Sequence, residues 1–350
     1  MFTAVFKYAY PHAKVRAMKG LLISEVKYRD MLNADTFEQV IHILQTTSYA
    51  ESFRGIAPTD LSLQAFSDIL YRSLFLDYHK TIRSVDKIAR DFLILCYHKY
   101  ELFNLKMILR GIISHVPADK IATLLLPTDR YTLFSKDALL QCQDVHAVIT
   151  HLQGTFFQYP LNLALRRFDE EQEFFPLEMA LDLYYYNSLW DKLGNLPDAD
   201  QIIVKEIVGV LLDILNITWI IRFKEHYHFS PEEILNYTIQ HGNSLRLKER
   251  RSFSEASETA SILDLLKATP YGKALTDDVQ LNTLHVALSR YFIGRLQKFF
   301  SGDPFQMGII IGYLLLKEFE ISDMLTIAEA KRYGFSIEQS RHYVIHTQQG

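Results

Sequence analysis

Apolar residues recur at helical spacing along the chain, and one helix end is written three times. The element reads Leu-(Gln/Lys)-x-Thr-x-(Tyr/Phe) and begins at Leu44, Leu152 and Leu266. Apolar residues lie three and four positions before each leucine: Ile41 and Val40, Ile149 and Val148, and Leu263 and Ile262. This spacing predicts an amphipathic helix that ends near the threonine in each copy.

A second helix pattern follows the first element each time, so that the pair repeats roughly every 110 residues. Residues 104–110 match residues 216–222, and residues 320–326 match both more weakly. In the third copy Glu320 stands where the others have asparagine, and Thr326 stands where they have arginine. Two patterns in the same order indicate internal repetition.

The repetition predicts an all-α chain of three tandem helical bundles: 1–114, 115–224 and 225–350. Each copy has an amphipathic segment between its two elements: 63–76, 177–193 and 279–292. A further helix is predicted to start after each second element, near Pro117, Ser230 and Ser336. At the second of these, Pro231 and Glu233 complete a capping box.

The composition of the chain argues against some classes of function. The chain has 350 residues, 49% of them hydrophobic and 13% aromatic, which provides a large core. A net charge of −4 argues against nucleic-acid binding, which requires a basic surface. Cys96 and Cys142 lack metal-ligand spacing and are predicted to be free thiols.

No targeting or membrane-spanning segment is predicted. The apolar run 307–316 is about half as long as a bilayer requires, and residues 202–223 contain charged side chains. The first residues lack the basic and apolar regions of a secretory leader. We therefore expect a cytoplasmic protein, or one held at a membrane by a partner.

Motifs for nucleotide or metal chemistry are not apparent. Gly272-Lys273 lacks the upstream glycine and following hydroxyl of a phosphate-binding loop. His342 and His346 share a helical spacing without a third ligand nearby. The stretch 242–261, with four basic residues, is predicted to be a solvated loop, and a basic contact surface is the alternative. The sequence predicts neither cofactor nor metal.

An acidic stretch supplies the alternative function. Asp169, Glu170 and Glu173 have the spacing with which a helical enzyme holds Mg²⁺ against a prenyl diphosphate. Such a site needs a second acidic cluster, and Asp277-Asp278 is the candidate. A solvated acidic face is favoured. A generic helical scaffold is disfavoured, because such arrays repeat every 30 to 50 residues, roughly.

Four stretches of the sequence carry a family resemblance. They are residues 104–110, 216–222 and 318–334 and the opening Tyr8-Ala9-Tyr10-Pro11-His12-Ala13-Lys14-Val15-Arg16-Ala17-Met18-Lys19-Gly20-Leu21-Leu22. Over essentially its whole length the chain resembles the C-type subunits of V/A-type ATPases, the counterparts of the eukaryotic d-type subunit. The resemblance implies a pseudo-threefold helical funnel that catalyses nothing. In that family it sits on the cytoplasmic face of the membrane rotor ring, receives the foot of the rotor shaft and transmits torque.

The resemblance also suggests contact residues. Lys14, Arg16, Arg110 and Arg222 are basic positions within the family-like motifs and are predicted partner contacts; internal pairing or helix capping is the alternative. Asn104 and Asn216 are predicted to be buried amides that tie neighbouring helices together by hydrogen bonds. The implied partners are the central-stalk shaft subunits and the proteolipid ring. Membrane contact would be made through the ring alone, and no residue is predicted to be catalytic.

Overall fold

A computed structural model describes residues 2–276, 279–302 and 305–346, with side chains from residue 7 onward. The described residues form helices and no strands, which confirms the all-α prediction. The α-helices are α1 Phe2–Lys19, α2 Glu25–Asn33, α3 Phe37–Leu44, α4 Leu63–Ile82, α5 Lys87–Ile113, α6 Ala118–Leu124, α7 Lys136–Leu140, α8 Val145–His151, α9 Gln158–Glu171, α10 Phe175–Lys192, α11 Asp198–Arg222, α12 Pro231–Asn236, α13 Leu247–Glu255, α14 Ser261–Lys267, α15 Leu284–Phe299, α16 Met307–Tyr333 and α17 Ile337–Arg341. Of the described helices, none is long and apolar enough to cross a bilayer.

The chain divides into two compact units. One comprises residues 87–195, and the other combines residues 1–86 with residues 196–350. The predicted boundary at 114 lies inside the first of these units. The division into three repeats stays a prediction.

The first repeated element ends a helix in all three copies, as predicted. In each, the threonine hydroxyl donates to the carbonyl of the leucine three residues earlier: Thr47 to Leu44 at 2.6 Å, Thr155 to Leu152 at 2.7 Å and Thr269 to Leu266 at 2.8 Å. The leucines and the final aromatic residues are buried. Each threonine therefore binds a carbonyl at the end of its helix through both its backbone N–H and its hydroxyl, where the i→i−4 bonds stop.

The three long helices α5, α11 and α16 each lead to a residue with left-handed backbone, respectively His115, His228 and Gly334. A short helix follows each of them, which confirms the predicted starts of α6, α12 and α17. At α12 the Ser230 hydroxyl accepts from the Glu233 N–H while the Glu233 carboxylate accepts from the Ser230 N–H. This is the predicted capping box.

The second copy holds one extra residue in its long helix. Twelve residues separate Asn216 from His228, against eleven from Asn104 to His115. A π-helical turn, Phe223–Tyr227, continues α11 between these positions. A π turn adds one residue without ending the helix, so the residues beyond it keep their place.

Each long helix packs on an amphipathic helix that does not directly precede it. In the 87–195 unit α5 packs on α10, and in the other unit α11 packs on α15 and α16 on α4. Helices α4 and α10 match the predicted segments 63–76 and 177–193, whereas α15 begins five residues later than 279. The first and last parts of the chain thus share one core.

Candidate functional site

Two buried asparagines make the same pair of hydrogen bonds in the two units. Asn104 Oδ1 accepts from the Leu126 N–H at 2.7 Å, and Asn104 Nδ2 donates to the Leu126 carbonyl at 3.1 Å. Asn216 makes the equivalent bonds with Ile239 at 2.8 and 2.9 Å. Both asparagines are fully buried. Each one links its long helix to the segment that follows the next short helix.

The third copy makes this link with an acid. Asp323 Oδ1 accepts from the Ile345 N–H at 2.6 Å, and Oδ2 accepts from the His346 N–H at 2.9 Å. The sequence comparison placed Glu320 opposite Asn104, and that alignment was wrong by three residues. A shift of three positions keeps a residue on nearly the same helix face, so the apolar pattern alone did not reveal the error.

A second buried acid lies three residues before each linking residue, and the sequence analysis missed it. These acids are Glu101, Asp213 and Glu320. An acid three residues before an asparagine, at 101–104 and again at 213–216, was the available signal.

Two of these acids bind the tyrosine that closes the first repeated element. Tyr271 donates to Asp213 at 2.6 Å, and Tyr49 donates to Glu320 at 2.8 Å. The second copy has Phe157, which carries no hydroxyl, and Glu101 Oε1 has no hydrogen-bond partner among the described residues. Burial raises the pKa of Glu101, opposed by bonds from Thr128 and the Leu133 N–H.

Asp213 also holds a loop against α11. Its carboxylate accepts from the N–H groups of Asn243, Ser244 and Leu245 at 2.6 to 3.1 Å. Burial raises the pKa of Asp213, and these bonds and Tyr271 oppose the shift. A Cβ on Gly242 would lie 2.0 Å from Asp213 Oδ1, so this close approach requires glycine.

A cation binds the carbonyl of each linked residue. Lys136 donates to Leu126 at 2.9 Å, Arg250 to Ile239 at 2.5 Å and Arg290 to Ile345 at 3.1 Å. Arg250 belongs to the stretch predicted as a solvated loop. That prediction was wrong in part, because the stretch contains α13 and Arg250 is buried.

The four predicted contact cations all have partners within their own unit. Lys14 donates to the Lys80 carbonyl at 3.0 Å, and Arg16 donates to the Phe300 carbonyl at 2.5 Å. Arg110 lies 3.3 Å from Glu178 with its guanidinium over the Phe174 ring. Arg222 donates to the Tyr227 hydroxyl at 3.1 Å. A role for these cations in partner contact stays a prediction.

The acidic stretch of the alternative function forms surface pairs. Asp169 lies 2.9 Å from His146, and Glu170 accepts from Arg166 at 3.0 Å. Glu173 is exposed, and the predicted second cluster, Asp277-Asp278, lies outside the described residues. Within the described residues no three His, Cys, Asp or Glu side chains come together as a metal site. The prenyl-diphosphate hypothesis is not supported.

The fold and these linked helices define an all-helical protein whose repeated elements are joined by buried polar bonds. The family model for the ATP synthase (C/AC39) subunit matches residues 11–343, and the chain belongs to this family. It is therefore a subunit of a rotary ATPase.

Curated relatives that are C-type subunits of A-type ATP synthases match nearly the whole chain. The protein from Methanosphaera stadtmanae is 26% identical over 342 residues, 96% of this chain and 86% of the relative. That from Methanobrevibacter smithii is 28% identical over 338 residues, covering 94% and 85%. That from Methanosarcina mazei is 26% identical over 337 residues, covering 95% and 91%.

Proposed function

We propose that the chain is the central-stalk socket that couples the rotor shaft of this ATPase to its membrane ring. It passes torque between them, for proton or sodium transport linked to ATP hydrolysis or synthesis. The family match over residues 11–343 carries the proposal. A part that transmits torque must resist shear between its helices, and directional buried hydrogen bonds provide that resistance.

We also propose three similar bundles in a pseudo-threefold funnel, and the repeated bonds support the likeness of the three copies. Asn104, Asn216 and Asp323 occupy equivalent places in three long helices. We place the chain at the cytoplasmic side of the membrane, where it is held by the shaft and the proteolipid ring and touches the lipid only through the ring.

Among the predicted contact residues, Arg16 and Arg110 are the stronger candidates because both are exposed. A cation that already binds one internal partner can bind a carboxylate of another protein with its remaining donors. Lys14 and Arg222 are half-buried and are the weaker candidates.

Co-purification tests the proposal. Tagged wild-type chain, Arg16→Glu and Arg110→Glu would be isolated from membranes in a mild detergent, with the exposed Arg166→Glu as the matched control. We expect wild type and control to bring down ring and stalk proteins with ATP-hydrolysing activity, and at least one contact variant to lose them by more than about tenfold. If the wild-type chain elutes alone, the proposed function is wrong; if all variants behave alike, the contact assignment is wrong.

A further inference from the structure

The segment of residues 337–346, here called the latch segment, is held by Asp323. In addition to the Ile345 and His346 N–H groups, the His346 ring lies 2.6 Å from the carboxylate, Nδ1 to Oδ2. The Asp323 side chain is 1% exposed and the His346 side chain 20% exposed. A buried carboxylate thus holds this segment through a half-buried imidazole and two backbone donors.

In the other two copies a neutral carboxamide takes the place of the Asp323 carboxylate. A carboxamide such as that of Asn104 or Asn216 both donates and accepts, so it satisfies a peptide N–H and a carbonyl at once. The carboxylate of Asp323 accepts only, and it carries a charge that is costly to bury without a cation. In the third copy the imidazole Nδ1 of His346 lies beside that carboxylate.

Other charged groups near Asp323 have bonding partners of their own. Glu320 pairs with Lys317 at 2.8 Å. Arg290 donates to the carbonyls of Val344 and Ile345. Among the described residues, Asp323 has no ion-pair partner besides His346.

Water has a route to this pair. A cavity of about 790 Å³ within the 1–86 and 196–350 unit is lined by Ile345 and His346. Its other charged or titratable lining residues, apart from Tyr28, are Lys19, Glu25, Lys273, Arg290, Tyr291 and Glu320. The lining therefore holds three cations and two glutamates, and Glu320 is paired with Lys317.

The ring of Tyr28, in α2, covers one face of the His346 imidazole. The two rings stack with centroids 4.9 Å apart and planes 6° from parallel. Burial, and then Glu320 and Asp323, hold the pKa of Tyr28 well above its ordinary value, so its hydroxyl stays neutral. Tyr28 thus fixes the position of His346 without contributing charge.

We propose that Asp323 and His346 form a proton-sensitive latch that holds the latch segment on α2 and α16 most firmly when His346 is charged. Histidine changes charge between about pH 5 and 8, and hydrogen bonds between charged groups are roughly twice as strong as neutral ones. Because Ile345 and His346 line the cavity, loosening the segment at higher pH widens it. All groups of the latch lie within this one chain, so the proposal does not depend on the proposed function.

Hydrogen exchange on the full chain tests the latch. Protection of the Ile345 and His346 amides, corrected for intrinsic exchange, should rise about tenfold from pH 8 to pH 5.5. The Leu126 and Ile239 amides, held by asparagines, are internal controls and should change less than about threefold. A flat profile at Ile345 and His346, or an equal rise at all four amides, overturns the proposal.

Two variants separate the latch from a general effect of pH. Asp323→Asn restores the amide of the other copies, and His346→Gln keeps a donor that does not titrate. Each should remove the rise at pH 5.5 and keep the Ile345 amide protected at pH 8. Ile345 is the readout for Asp323→Asn, because the asparagine has one acceptor oxygen where the carboxylate uses two. If the rise persists in either folded variant, the assignment to this pair is wrong.

Discussion

The link at Asn104 in the 87–195 unit and the link at Asp323 in the other unit share a backbone arrangement but differ in chemistry. In both, a buried side chain on a long helix binds a peptide N–H 22 residues later. The first uses a neutral carboxamide, and the second uses a carboxylate with a histidine. The comparison shows that the geometry of a link is kept while the side chain that forms it changes from a neutral amide to an acid beside a histidine.

The buried acids differ in the same way. Asp213 Oδ2 receives one hydroxyl and three N–H groups, whereas Glu101 receives fewer bonds; in each acid the other oxygen, Asp213 Oδ1 or Glu101 Oε1, has no hydrogen-bond partner among the described residues. Because burial without full hydrogen bonding is costly, the 87–195 unit should depend less on its acid than the other unit does.

Removing Asp213 should have the largest effect. Asp213→Ala leaves three N–H groups and the Tyr271 hydroxyl without their acceptor, so we expect a loss of about 4 kcal/mol in the free energy of unfolding. The two tryptophans allow this to be measured separately, since Trp190 lies in the 87–195 unit and Trp219 in the other. In a Trp190→Phe background, urea unfolding followed by Trp219 fluorescence reports the affected unit.

Asp213→Asn is the matched control for that change, because its oxygen still accepts. It should cost less than half as much as the alanine. Equal losses in the two variants would mean that the hydrogen bonds are not what stabilises the loop.

Acid should destabilise the 87–195 unit through His98. Burial lowers the pKa of His98 to about 4, against the weaker opposing effect of its bond to the Tyr131 carbonyl. The unfolded chain therefore binds the proton first, and stability falls as pH drops from about 6.5 to 4, by about 3 kcal/mol. Urea unfolding followed by Trp190 in a Trp219→Phe background measures it, and His98→Gln should remove most of the slope. An unchanged slope in that variant contradicts the assignment.

The two asparagine links should cost similar amounts when removed. Asn104→Leu and Asn216→Leu each leave a buried N–H without an acceptor, while Lys136 and Arg250 still bind the carbonyls, so we expect about 2 kcal/mol for each. Trp190 fluorescence in the Trp219→Phe background measures the loss in Asn104→Leu, and Trp219 fluorescence in the Trp190→Phe background measures the loss in Asn216→Leu. If one substitution is silent and the other is not, the links are not equivalent.

Adding the missing hydroxyl should have the smallest effect, and the opposite sign. Phe157→Tyr offers Glu101 the donor that Tyr271 gives Asp213, so we expect a gain of about 1 kcal/mol in the 87–195 unit. Phe156→Tyr is the neighbouring control and should not stabilise. A loss in Phe157→Tyr would show that the second copy is built differently around Glu101.

Local signals in the sequence predicted local structure. The Leu-x-x-Thr element predicted the ends of α3, α8 and α14, and the Ser230 to Glu233 pattern predicted a capping box, because each of these depends on residues within a few positions. The helical class followed from the same spacing.

Contacts between residues that are far apart in the sequence were not predictable from local patterns. The packing of α16 on α4 joins residues more than 200 positions apart, and the place of Arg250 depends on a carbonyl that its own local pattern does not indicate. The link at Asp323 was displaced to Glu320 because both lie on one helix face. For the proposed contacts, the sequence identified basic positions but neither their exposure nor the surface that meets them.

The coupling of ATP hydrolysis to ion transport is the most direct test of the proposal that the chain connects the shaft to the ring. Membrane vesicles containing the ATPase would be prepared with the chain, without it, and after adding it back, and ATP-driven ion uptake would be measured beside ATP hydrolysis. The account predicts that vesicles without the chain lose ion uptake while ATP hydrolysis continues, and that adding the chain restores uptake. Ion uptake that is the same with and without the chain would contradict it.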